Sequence, residues 1–188
     1  MYMHTFYFHI ARSTDKEDPN KDYSPIVVGR KSSFHPTEEE DIIVGRFLQE
    51  NNFTDVPLFK FLRLKKDGEL IYSRHYQRAK TRNAYTVLLN AGDVVIVLYF
   101  LLLGDQLLAM VEKLDTVNAS FPICDDVLQN HVLRKYQNMK LCHHIREVTS
   151  HKELKIIPVS CITKKCVYMK LNNDKTYVSI PPNLLEHD

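Results

Sequence analysis

A run of basic and aromatic residues between Tyr72 and Tyr85 is the part of the sequence best suited to bind a ligand. It holds arginine, lysine, histidine and tyrosine side chains and no acidic residue. Such cations neutralise phosphates, and tyrosine rings stack on bases, so the composition predicts a nucleic-acid contact. The predicted contact residues are Arg74, Arg78, Lys80 and Arg82 for phosphates, and His75 and Tyr76 for stacking or polar contacts.

The same segment has a second interpretation, a solvated connection whose tyrosines anchor it to the core. The net charge of the chain is only +2, so total charge does not by itself indicate a polyanionic partner. Two hypotheses of different classes follow: a module that binds DNA or chromatin, and a protein–protein interaction domain without nucleic-acid binding. They differ in salt dependence, because phosphate contacts weaken steeply with ionic strength.

Histidines and cysteines in the second half of the chain are the next candidates for chemistry. They are His131, Cys142, His143, His144, His151, Cys161 and Cys166. Structural zinc sites commonly use a pair of cysteines with two residues between them, and this spacing does not occur in the sequence. Adjacent residues such as Cys142 and His143 point in different directions on a helix or strand, so they form no ready nucleophile–base pair. We therefore predict buried thiols and surface histidines, and no metal or other cofactor.

Other sequence signals of catalysis are also missing. The chain has 5 glycines, and they form neither a Gly-x-Ser-x-Gly elbow nor a phosphate-binding loop. The acidic run Glu38–Asp41 is explained as the first turn of a helix. The sequence therefore predicts a non-enzymatic protein without a small-molecule substrate.

Bulk composition is that of an ordinary globular domain. The chain has 188 residues, of which 44% are hydrophobic and 26% charged. The longest apolar run, Val94–Leu103, is about half the ~20 residues that a membrane helix needs, so we predict a buried strand and no membrane partner. The four cysteines lie in apolar segments without a disulfide framework or a secretory signal. We therefore expect an intracellular location.

One helix stands out among the elements. Thr37 and Glu40 form a capping box, and apolar residues recur at helical spacing after it, which predicts an amphipathic helix over about 38–50. Alternating residues after Val56, with a turn at Asp67-Gly68, predict a hairpin. Further predicted strands are 1–12, 84–89, 94–103, 106–114, 154–159, 166–171 and 176–180, with a turn at 172–174, and the segment 125–148 stays open between a helix and an ordered loop.

These elements predict a mainly β (α+β) fold, a small barrel- or sandwich-like antiparallel domain with an N-terminal helix. We divide the chain into residues 1–52, with a strand, a loop and the amphipathic helix, and residues 53–188, the β-rich domain. Ala91–Val97 and Leu107–Leu114 are similar to the opening of bromo-adjacent-homology domains and other chromatin-associated small barrels. Ordinary core strands are the simpler explanation of these two segments.

From about residue 27 to the end, the chain resembles the C-terminal, non-catalytic region of animal proteins derived from CACTA-type (En/Spm-like) transposons. The segments that carry the resemblance are Gly29–Phe34, Leu70–Val87, Ala109–Leu114, Ile157–Met169 and Tyr177–Asp188. The chain departs from that pattern in its very apolar 91–105 region and in Met1–Arg12, which has no counterpart. The resemblance implies a relic or fragment that keeps an accessory domain and lacks the acidic-triad nuclease. It also implies a nuclear location and contacts with DNA, chromatin or a protein partner.

Overall fold

The structure is a computed structural model that describes residues 24–54, 56–76, 85–119, 144–170 and 175–181. Three sequence predictions lie outside these residues: the strand over 1–12, the turn at 172–174, and most of the ambiguous segment 125–148. Among the described residues, none of the helices is long and apolar enough to cross a membrane.

The predicted helix is confirmed as α1, Glu38–Glu50. The Glu40 backbone N–H donates to Thr37 Oγ1 at 3.3 Å, and the Thr37 N–H donates to Glu40 Oε2 at 2.9 Å. These two bonds satisfy donors that the first turn would otherwise leave free, so the helix starts where the sequence indicates. Asn51 is the C-cap residue that follows Glu50, and the next residue, Asn52, has a positive φ of 57°.

Strands make up most of the remaining described chain. Their bounds are β1 (Ile26–Val27), β2 (Ser32–Ser33), β3 (Leu58–Phe61), β4 (Arg63–Lys66), β5 (Glu69–Tyr72), β6 (Thr86–Leu89), β7 (Val94–Leu103), β8 (Gln106–Asn118), β9 (Ile145–Pro158), β10 (Ile162–Lys170) and β11 (Thr176–Ser179). A short 3-10 turn, Val159–Cys161, joins β9 to β10.

A three-stranded sheet forms in the order β1-β4-β5. Asp67 and Gly68 connect β4 to β5 with φ angles of 49° and 75°. Positive φ at both central residues is the geometry of a tight hairpin turn, and Asp-Gly is a preferred pair for it. The hairpin predicted at these residues is therefore confirmed.

The larger sheet closes on itself. Its order is β2-β3-β7-β6-β10-β11-β9-β8, and β8 pairs again with β7. Six antiparallel strands, β7-β6-β10-β11-β9-β8, therefore form a ring, while β3 and β2 extend from the second half of β7. The predicted small barrel- or sandwich-like antiparallel domain with an N-terminal helix is confirmed.

Strand β7 lies between two layers of the core. Nine of its ten residues are buried, all but Leu102. One buried cluster joins β7 to Val44 of α1, and a second joins it to Leu64 and Ile71 of the three-stranded sheet. A strand covered on both sides has no solvent face, which is why its sequence is continuously apolar.

Strands β8 and β9 are longer than predicted. Strand β8 continues to Asn118, and β9 begins at Ile145, within the segment that the sequence left open. The two pair with each other along this extension, with register shifts between Glu112 and Leu114 and between Asp115 and Thr116. Irregular pairing breaks the simple alternation that marks a strand in sequence. The division of the chain at residues 52 and 53 stays a prediction.

Candidate functional site

The run of basic and aromatic residues from Tyr72 to Tyr85, called the basic segment below, is hydrogen-bonded to Val97 near both of its ends. The Val97 carbonyl accepts the Arg74 backbone N–H, and its own N–H donates to the Tyr85 carbonyl, each at 2.8 Å. These bonds are possible because Val97 lies between the part of β7 that pairs with β6 and the part that pairs with β3. Of the predicted contact residues, Arg74, His75 and Tyr76 are described, whereas Arg78, Lys80 and Arg82 lie outside the described residues.

The Glu112 carboxylate on β8 lies between Arg74, at the start of the basic segment, and His151 on β9. Arg74 Nη1 donates to Glu112 Oε2 at 3.0 Å, and His151 Nδ1 lies 2.5 Å from Glu112 Oε1. The Glu112 side chain is 16% exposed, while that of Arg74 is 50% exposed. The guanidinium is thus oriented by an acid of the barrel and still faces solvent. Sequence reasoning missed this pairing, because Glu112 is 38 residues from Arg74 and no local pattern links them.

The tyrosines of the segment contact other aromatic and basic side chains. Tyr72 and Tyr76 stack with ring centroids 5.2 Å apart, and Arg63 lies 5.1 Å from the Tyr76 centroid. Tyr85 lies against Tyr168, with 6.4 Å between ring centroids. These are the contacts that the anchoring interpretation expects. A role for Tyr76 in base stacking stays a prediction.

A polar cluster surrounds Tyr99, which is fully buried on β7. The Tyr99 hydroxyl donates to Glu40 Oε1 at 2.7 Å, and Lys60 Nζ lies 4.0 Å from the Tyr99 ring centroid. The His75 ring lies 5.8 Å from the same centroid, and Phe34 lies 5.7 Å from it. The cluster therefore joins α1, β3, β7 and the beginning of the basic segment. The sequence analysis named only His75 of this group as a site residue.

Burial and neighbouring charges change the pKa values in this cluster. Burial and then the bond to Glu40 raise the pKa of Tyr99. For Glu40, burial alone would raise the pKa, but hydrogen bonds from Thr37 and Tyr99 outweigh it, and the net pKa is lowered. Both directions favour the Tyr99–Glu40 hydrogen bond, because Tyr99 stays protonated as its donor and Glu40 stays ionised as its acceptor. The cluster thus fixes the positions of its neighbours.

The two basic side chains of the cluster, Lys60 and His75, both have lowered pKa values. Burial lowers the pKa of Lys60, although the Glu40 carboxylate opposes the change. Burial also lowers the pKa of His75, followed by repulsion from Lys60, with Glu40 opposing and Arg74 adding to the effect. His75 is an exposed residue overall, but its ring lies against Tyr99. Protonating His75 therefore adds a positive charge beside Lys60 and Arg74.

The cysteine and histidine candidates for metal binding are only partly described. Cys166 is a buried free thiol, as its position on a strand predicted, and burial raises its pKa to about 11. Cys161 is a half-buried free thiol. Within the described ranges, no three histidine, cysteine or acidic side chains are grouped as metal ligands. His131, Cys142 and His143 lie outside those ranges.

The chain was compared with protein-family models, curated proteins and solved structures. No protein-family model, no curated protein and no solved structure matches the chain. The similarity to CACTA-type transposon-derived proteins therefore stays a prediction from its sequence motifs.

Proposed function

We propose that this protein is a non-enzymatic binding module that contacts nucleic acid through the basic segment from Arg74 to Arg82. The observation that carries the proposal is the double anchorage at Val97, which brings the start and end of the segment to one point on the barrel. A segment held at both ends loses less conformational freedom when it binds than one held at a single end. Its cations would therefore be available to phosphates at a lower entropic cost.

The described residues at the start of the segment support this proposal. Arg74 is half exposed, and its guanidinium keeps donors beyond the single bond to Glu112. Lys60 and His75 both lie against the Tyr99 ring, and Arg74 is close enough to His75 to lower its pKa. Arg78, Lys80 and Arg82 would add phosphate contacts, and Tyr76 a stacking contact, as their residue types allow.

The biological setting is part of the proposal and rests on sequence motifs alone. In it, the chain is an accessory domain of a transposon-derived protein, acting on DNA or chromatin in the nucleus. The alternative is a protein–protein interaction domain without nucleic-acid binding. The exposed face of α1, with Ile42 at 64% exposure, favours that alternative.

Fluorescence anisotropy of labelled double- and single-stranded DNA, titrated at several salt concentrations, tests the proposal. A variant with four alanine substitutions, Arg74→Ala/Arg78→Ala/Lys80→Ala/Arg82→Ala, should lose affinity for DNA. The slope of the logarithm of its binding constant against the logarithm of salt concentration should be shallower by about 0.9 for each phosphate contact removed. The matched control replaces four lysines elsewhere in the molecule with alanine: Lys113 on β8, Lys155 on β9, Lys165 on β10 and Lys175 just before β11.

The comparison between the two variants decides the outcome. Salt-sensitive binding that only the segment variant loses supports the proposal and assigns the site. Absence of binding at low salt overturns it in favour of the protein-interaction alternative. Equal losses in both variants also overturn it, because they would indicate attraction by total charge and not by this segment.

A further inference from the structure

One face of α1 carries a charged and apolar stripe. Charged and apolar positions recur at intervals of three, four or seven residues, so they lie along one side of the helix; they are Glu39, Ile42, Ile43, Arg46 and Glu50. Ile42 is 64% exposed, and Glu39, Arg46 and Glu50 are also exposed. The stripe therefore places an exposed apolar residue between charged side chains.

The stripe forms one wall of a groove of about 440 Å³. Strand β9 supplies the other wall through Leu154 and Ile156, with Glu153 and Lys155 beside them. Glu153 and Lys155 pair with each other at 3.4 Å, so their charges are already compensated. The charges of α1 that border the groove are therefore the ones that decide what fits it.

We propose that this face binds a second copy of the same chain, with the two α1 helices antiparallel about a two-fold axis between Ile42 and Ile43. Glu39 then faces Arg46 of the second copy, and Arg46 faces Glu39 of the second copy. Ile42 and Ile43 face each other across the axis between these two ion pairs. An interface about a two-fold axis uses the same patch on both subunits, which requires a self-complementary patch of this kind.

The order of charges along the helix selects this arrangement. A parallel pair would place Glu39 against Glu39 and Arg46 against Arg46, and like charges at helix contacts are destabilising. The antiparallel arrangement instead places Glu39 of each copy against Arg46 of the other, so two attractive pairs flank the axis.

The contact is small, and this sets the strength of association. Helix α1 has 13 residues. A contact confined to one stripe of this helix covers less area than the roughly 800 Å² per partner of a standard stable interface. The dimer should therefore be weak and depend on concentration. This inference does not depend on the nucleic-acid proposal, because no residue of the stripe belongs to the basic segment.

Sedimentation velocity of the full chain over a wide concentration range tests the inference. The wild type should shift from monomer toward dimer as concentration rises. Arg46→Glu alone and Glu39→Arg alone should each weaken association about tenfold or more, because both ion pairs become repulsive. The double variant Glu39→Arg/Arg46→Glu should restore it, since the charges are exchanged but again complementary. Glu69→Arg on β5 is the control and should leave association unchanged.

Restoration in the double variant separates a contact from a folding defect. Circular dichroism of each variant verifies that α1 is intact, because an arginine in its first turn opposes the helix dipole. A wild type that stays monomeric at every concentration overturns the inference and leaves a different protein as the occupant of the groove. Association that survives Arg46→Glu also overturns it, because the contact would then lie elsewhere.

Discussion

The Tyr99 hydroxyl on β7 donates to the Glu40 carboxylate on α1 at 2.7 Å, across 59 residues of sequence. The other oxygen of the same carboxylate accepts the backbone N–H of Thr37. One buried side chain therefore closes the capping box of the helix and attaches the helix to the barrel. Glu40 is 9% exposed and Tyr99 is fully buried, so neither group can replace its partner with water easily.

Replacing Tyr99 with phenylalanine should destabilise the fold by about 1–3 kcal/mol, because Glu40 would lose its buried donor. Urea denaturation at neutral pH measures the change in the free energy of unfolding. Tyr72→Phe, which keeps the ring stacked on Tyr76, is the matched control and should have a smaller effect. Equal losses in the two variants would contradict the role given to the Glu40 bond.

Acid should weaken the wild type through the same carboxylate. The pKa of Glu40 in the fold is lowered from the ordinary 4.5, so its contribution to stability is present above about pH 4.5 and is lost as pH falls through the folded-state pKa. Tyr99→Phe removes one bond that lowers this pKa, so part of that pH dependence should disappear. Denaturation midpoints over a pH series below 4.5 compare the two proteins.

His75 should titrate below its ordinary pKa of 6.5, since burial, Lys60 and Arg74 all disfavour its charged form. Its contribution to stability is therefore present above pH 6.5 and is lost as pH falls through the lowered pKa. Nuclear magnetic resonance titration of the His75 ring protons, assigned with His75→Asn, measures the pKa. Lys60→Met should raise that pKa toward its ordinary value, and an unchanged pKa would show that Lys60 does not act on His75.

Two glycine substitutions should change stability in opposite directions. Gly68 has a φ of 75°, so Gly68→Ala should destabilise the β4–β5 hairpin by about 1 kcal/mol. Gly45 lies within α1, and an added Cβ there meets no atom within 4 Å. Gly45→Ala should therefore stabilise the fold by about 0.5–1 kcal/mol, because alanine loses less backbone entropy in a helix. Thermal denaturation of both variants checks the two signs.

Glu112 should weaken any binding of nucleic acid, because its carboxylate neutralises part of the Arg74 charge. Glu112→Gln removes that negative charge beside Arg74 and His151, so DNA affinity at low salt should rise severalfold. The control Glu69→Gln changes the total charge equally at a surface position on β5. A similar rise in both variants would show that only net charge matters.

Thiol labelling should distinguish two of the cysteines. Cys166 is 2% exposed with a pKa raised to about 11 by burial, whereas Cys161 is half-buried. Because the thiolate is the reactive form, maleimide should modify Cys161 well before Cys166 in the native protein. Mass spectrometry of the labelled peptides measures the order, and labelling in urea should make the two rates similar. Faster labelling of Cys166 would contradict its burial.

Short-range signals in the sequence were enough to predict several elements. The Thr37–Glu40 capping box located the start of α1, and Asp67-Gly68 located a hairpin turn. The apolar run Val94–Leu103 predicted a buried strand, since a strand covered on both sides needs no polar alternation. Each of these signals acts between residues a few positions apart, where backbone conformation and side-chain type are directly coupled.

The contacts between distant residues could not be predicted from the sequence and depend on the tertiary fold. The extension of β8 and β9 depends on their mutual pairing with shifted register, which local alternation cannot indicate. The contacts of Glu112 with Arg74 and His151, and of Tyr99 with Glu40, likewise join residues 38 to 59 positions apart. Composition alone indicated a basic, tyrosine-rich segment, whereas its attachment at Val97 depends on where β6 and β3 pair with β7. Such contacts depend on which strands become neighbours, and long-range packing of the whole chain determines that choice.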